Sequence, residues 1–207
     1  MLLLRRTTLS VAAYGREHPF RTSLATATAK TAAADIMTQR CLEGAGEVDV
    51  RRLSLFTAFG FYYLGAFQYL LYVRGFSRWF PAATKFGEHA TLAARLSDRP
   101  GLRDLVLQTA AGNFLHIPFL FFPAFYLTQE ATLCGWNASP ARALSRYYQN
   151  AWNDLIAAWT IWVPGHAIFF SVPMWARLPT NHALSFGFVC VLSLMRGSGD
   201  GGASAGR

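Results

Sequence analysis

The chain has 207 residues, of which 53% are hydrophobic, 15% aromatic and only 14% charged, with a formal net charge of +8. Soluble domains run near about 25% charged, so the composition argues against an ordinary soluble domain, and its richness in apolar and aromatic residues excludes a disordered chain. Three widely spaced cysteines, Cys41, Cys134 and Cys190, make neither a disulfide framework nor a zinc site.

The charges are unevenly placed. Four stretches hold no Asp, Glu, Lys or Arg: Leu53 to Val73, Leu105 to Gln129, Leu155 to Ala176, and Leu178 to Met195. Elsewhere the charge density is close to the soluble value of about 25%. At about 1.5 Å per residue, helices of these lengths match a hydrocarbon core about 30 Å thick. The expected fold is all-α: a polytopic membrane helix bundle of four to five spans, forming one membrane domain over residues 1–196.

In chain order, residues 1–19 carry Arg5, Arg6 and Arg16 among Ser and Thr, with no acid before Glu17. This is the composition of a mitochondrial targeting segment, or of an amphipathic helix lying on a membrane. A helix is expected next, from Phe20 to Leu42. Its Ala25, Ala29 and Ala33 recur at the spacing that lets helix backbones approach closely in a bilayer. Lys30, Asp35 and Gln39 on the same helix must face the protein interior or water if they lie at membrane depth, which makes them candidate pore or interhelical polar residues.

Arg51-Arg52 opens the second span, and Arg74, Arg78, Trp79 and Pro81 close it. A polar connection over 82–104 adds Arg95, Arg99 and Arg103. Of 19 basic residues, 17 are Arg, the side chain best suited to bidentate phosphate contact. Arg74, Arg78, Arg95, Arg99 and Arg103 are therefore expected to contact lipid phosphate, such as cardiolipin. The distribution of Lys and Arg places the amino terminus and the 74–104 connection on the more negative, matrix-like side.

Pro118 and Pro123 should kink the third run, whose Asn113 and His116 join the candidate polar residues. The fourth run carries His166 and is expected to break at Pro164-Gly165 and at Pro173. Pro179-Thr180-Asn181 is expected to separate it from a last span ending at Arg196. Residues 197–207 read as a flexible Gly/Ser tail.

No Ser-His-Asp order, phosphate-cradling Gly-rich loop, paired-Cys zinc site or dinucleotide fingerprint is present, so an enzyme is not expected. His116 and His166 read as hydrogen-bonded structural histidines ahead of haem or metal ligands. The expected partners are membrane lipid and other integral membrane subunits; no nucleic acid, metal or cofactor beyond bound phospholipid is expected.

The polar punctuation resembles the Mpv-seventeen and peroxisomal-membrane-protein-twenty-two family of small integral proteins of the mitochondrial inner and peroxisomal membranes. The resemblance rests on Tyr14, His18-Pro19, Thr22, Asp35, Thr38-Gln39, Asp49, Arg51-Arg52, Gly60 and Gln108. It continues through a carboxy-terminal signature of Trp162, Phe170, Val172-Pro173 and Arg177, and spans roughly residues 14–196. It implies an inner-membrane location, with the peroxisomal membrane as the alternative, and allows a pore. The chain departs from the family pattern at Ala34, Tyr63-Leu64, Phe67, Leu107, Val163, His166 and Phe169, mostly exchanging polar groups for apolar ones. An aqueous pore needs polar lining, so these departures favour a non-catalytic accessory subunit of a large mitochondrial membrane complex, packing on partner helices and lipid. The alternative is a free-standing pore or small-solute channel.

Overall fold

The structure is a computed structural model that describes residues 13–197, apart from 16 and 45, with the side chains of 42 and 187–197 left undescribed. Most of the expected targeting segment (1–12) and of the Gly/Ser tail (198–207) lies outside the described residues. Those described form helices and no strand, so the all-α expectation holds.

Helix α1, Pro19–Met37, starts on a proline, which is preset for a first helical turn and needs no N–H partner there. It ends in a wider π-helical turn, Thr38–Leu42. Asp49 caps the next helix by accepting the Arg52 N–H. That helix, α2 (Val50–Phe59), continues through π-helical stretches Gly60–Phe67 and Tyr69–Gly75 into a short α3, Phe76–Trp79.

The polar connection is itself folded. Helices α4 (Pro81–Phe86) and α5 (Leu92–Ser97) close that end of the molecule, with Ala83 and Phe86 buried. Helix α6, Arg99–Ala110, is capped by Asp98 and runs through a π-helical stretch, Ala111–Phe121, into α7, Phe122–Cys134. The combined stretch Arg99–Asn137 is, among the described residues, the one helical segment long and apolar enough to cross a membrane. After a short loop, Ser139 caps α8, Pro140–Phe170, and α9 follows as Met174–Gly197.

Three sequence expectations need correction. Helix α8 runs unbroken through Pro164, and α9 runs unbroken through Pro179. The break falls between them, at residues 171–173, where Pro173 disfavours helical geometry in the residue before it. The third correction concerns the close-packing face of α1. Ala25, Ala29 and Ala33 are exposed, whereas Ser23, Ala27, Thr31 and Asp35 are buried. This second face meets Gly60 and Gly65. A Cβ on Gly60 would lie 2.7 Å from Thr31 Oγ1 and 3.1 Å from the Ala27 carbonyl, and one on Gly65 would lie 3.0 Å from Leu24 Cα. Ser23 Oγ also donates to the Gly65 carbonyl at 2.9 Å. The glycines, which present no side chain, choose which small-residue stripe is covered.

Pro118 shows how local sequence sets a tertiary contact. In a π-helical register it owes an N–H to the carbonyl of Asn113 and has none to give. The Trp159 indole N–H from α8 takes that carbonyl at 2.9 Å.

Helix α1 packs on Gly60–Phe67 and on α9, α2 packs on α7, and α8 lies against α7 and α9. Aromatic side chains fill one core, with Tyr72, Phe76, Phe169 and Phe170 buried together. Some large apolar side chains stand outside, with Phe119, Tyr62 and Leu115 at 70%, 70% and 61% exposed, while Gln68, Asn113 and His116 are at most 6% exposed.

Candidate functional site

A cavity of about 510 Å³ lies among the helices, a volume typical of small-molecule sites. Helix α1 contributes Lys30, the stretch after Gly60 contributes Gln68 and Tyr72, and the stretch after Ala110 contributes His116. Helix α8 contributes Trp162 and His166, and α9 contributes Asn181 and Ser185. Much of the remaining wall is apolar, including Phe121, Phe122 and Phe125.

His116 is held between two phenols. The Tyr72 hydroxyl lies 2.7 Å from its Nδ1 and the Tyr63 hydroxyl 3.1 Å from its Nε2. A neutral imidazole has one donor and one acceptor nitrogen, so one tyrosine donates and the other accepts. His166 makes ring contacts, with Trp162 at 5.3 Å and Phe170 at 5.5 Å between centroids. Its Nδ1 is buried without a hydrogen-bond partner and faces Gly112, where a Cβ would come within 3.1 Å. Asn181 donates to Gln68 at 3.4 Å, and its own Oδ1 has no partner. Lys30 Nζ donates to Ser185 Oγ at 2.7 Å. Asp154, also in the wall, accepts the Tyr126 hydroxyl at 2.6 Å.

Of the polar residues singled out from sequence, Lys30, His116 and His166 converge on this cavity. Asn113 stands beside it as a helix tie, donating to the Thr109 and Trp162 carbonyls. Asp35 and Gln39 line no part of it. Gln39 donates to Asp35 at 2.8 Å and accepts the Asp49 N–H at 2.6 Å, and Arg52 reaches Asp35 at 2.9 Å. They join α1 to the start of α2.

Sequence reasoning missed Gln68, Tyr72, Asn181 and Ser185. Gln68 and Tyr72 were legible as neighbours one turn apart inside a charge-free run. Asn181 was hidden in a Pro-Thr-Asn string that reads as a turn.

The arginines expected to meet lipid phosphate differ in setting. Arg74, Arg78, Arg99 and Arg103 are exposed, at the end of one helical rod and the start of the next. Arg95 is instead committed to the cap, donating to the His89 carbonyl at 3.0 Å and lying over the Phe86 ring. Beside it the Asp98 carboxyl is held below its usual range by the Gly101 N–H and by His89. At the opposite end of the α6–α7 rod, Glu130 accepts from Arg142 at 2.9 Å and from Arg146 at 3.2 Å.

The residues shared with the resembled family take structural positions. His18 precedes α1 and its carbonyl accepts from Thr22. Pro19 starts α1, Pro173 ends the α8–α9 turn, and Trp162 lines the cavity. Arg177 is fully buried, donating to the Ala83 carbonyl at 3.3 Å and lying over Phe170.

No group of three or more His, Cys, Asp or Glu that would hold a metal occurs among the described residues. No family model, curated protein or solved structure matches the chain.

Proposed function

We propose that the chain is an integral membrane protein of four to five spans, resident in the mitochondrial inner membrane, that holds or passes a small solute through the cavity among its helices. The observation that carries this reading is the cavity itself. A bundle built only for contact has no need of about 510 Å³ of internal space walled by Lys30, Gln68, His116, His166 and Asn181. The long apolar segment Arg99–Asn137 and the exposed large apolar side chains support membrane residence, and the targeting-like amino terminus supports the location. The resemblance to the Mpv-seventeen family read from the sequence agrees with the location and allows a pore.

The test is solute flux across liposomes containing the full chain. Flux above protein-free vesicles is expected, and Ala158→Trp, which fills the cavity from α8, should suppress it. Vesicles no leakier than controls, or a filled variant as permeable as the native chain, would refute the reading.

An accessory subunit of a large respiratory or ATP-synthase complex is the second reading, favoured by the broad aromatic surface at Trp136, Tyr148 and Trp152. It calls for migration with a large complex after mild detergent extraction, and free monomers throughout would rule it out. The exposed arginines suit anionic phospholipid in either case.

A further inference from the structure

The cavity has two chemically different sides. Its aromatic wall, with Phe121, Phe122, Phe125 and Trp162, offers nothing to a strongly hydrated solute. Opposite in character are Lys30, Gln68, His166 and Asn181. Lys30 is the one Lys or Arg among the described lining residues, and its partner is a neutral hydroxyl, Ser185. No carboxylate lies within ion-pair distance of it among the described residues. An ammonium inside a bundle without a counter-ion is costly, and an anion arriving there is correspondingly favoured. Asp154 is the lining carboxylate; it keeps its charge while accepting the Tyr126 hydroxyl, and it lies beyond ion-pair distance of Lys30.

From this pairing of one uncompensated cation with an aromatic wall, we infer that the cavity binds a single-chain amphipathic anion, of the fatty-carboxylate type. Its head is held at Lys30 and its chain lies along Phe121, Phe122, Phe125 and Trp162. A carboxylate accepts from the ammonium alongside Ser185, and the hydrocarbon removes the aromatic faces from solvent. A volume of about 510 Å³ suits one such chain. This inference rests on the proposed solute-holding role of the same cavity and names the class of solute.

The test uses the full-length protein in lipid nanodiscs and a laurate analogue carrying a photoreactive diazirine on its chain, with crosslinked peptides mapped by mass spectrometry. Parallel probes are the methyl ester, the corresponding alkylamine, and a two-chain diazirine phosphatidic acid. Labelling by the laurate analogue at residues 117–125 and 157–166 is expected, displaced by laurate and not by laurylamine. Lys30→Gln should weaken it by about tenfold or more, the scale of one charge-assisted hydrogen bond, and Lys30→Arg should restore it. Ala158→Trp, which leaves Lys30 in place, should abolish it.

If no probe of any charge labels the cavity, the solute-holding reading falls, and the inference with it. If ester or amine labels as well as the carboxylate, or Lys30→Gln labels as strongly as the native chain, the class of ligand is wrong while the cavity stands. Labelling by phosphatidic acid with none by laurate would mean that the site takes bilayer phospholipid, and would likewise overturn the inference.

Discussion

Arg52 Nε lies 2.9 Å from Asp35 Oδ1 and clamps the end of α1 to the first turn of α2. The carboxylate is almost fully buried, and the same guanidinium reaches Glu43 at 2.8 Å on its exposed side. Breaking a buried pair from one side leaves the other charge stranded. Arg52→Ala should therefore destabilise the protein by about 3 kcal/mol, more than Glu43→Ala does. Thermal unfolding in detergent checks the order, and equal losses for the two variants would contradict it.

The face of α1 that meets Gly60 makes a second prediction. Gly60→Val must displace Thr31 and the Ala27 backbone, and should cost about 1 to 3 kcal/mol as an overpacked contact. Ala29→Leu, on the exposed stripe, should stay within about 0.5 kcal/mol of the native chain. The reverse pattern in a melting series would mean that the alanine stripe is the covered one.

Trp159 and Pro118 should be energetically coupled. Trp159→Phe strands the Asn113 carbonyl, with an expected loss of about 1 to 3 kcal/mol. In a Pro118→Ala background the new N–H at 118 can meet the same carbonyl, so the Trp159→Phe loss should shrink. A double-mutant cycle without coupling would remove the proline as the reason for the tryptophan.

His116 depends on its phenols unequally. Tyr72→Phe strands a buried ring nitrogen and should cost about 1 to 3 kcal/mol. Tyr63 is only half-buried, so water can replace it and Tyr63→Phe should cost less. Comparing the two variants by chemical denaturation decides this.

Asp98 sets a pH dependence at the capped end. Its carboxyl lies below the usual range, chiefly because it accepts the Gly101 N–H. A depressed carboxylate contributes stability that is fully present above its unfolded pKa and is lost as pH falls through the lower folded value. The protection of the Gly101 amide, its hydrogen exchange relative to the intrinsic rate at the same pH, should therefore fall on acidification below the ordinary carboxylate range, and Asp98→Asn should flatten that response. An acid response unchanged by Asp98→Asn would contradict this assignment.

By itself the sequence determined that this protein is helical, with its charges gathered outside a few long apolar runs. Those properties follow from local composition: charge-free runs of helical length, Pro19 at a helix start, and Asp49, Asp98 and Ser139 as caps. The tertiary structure decided which polar residues meet. Lys30, His116 and His166 share a cavity, whereas Asp35 and Gln39 turn to Arg52 and Asp49. It also decided that the covered stripe of α1 is Ser23, Ala27, Thr31 and Asp35. Neither outcome is written in the helix that carries these residues. Both depend on where Gly60 and Gly65 allow another backbone to approach, and on which carbonyl a proline in a different helix leaves free.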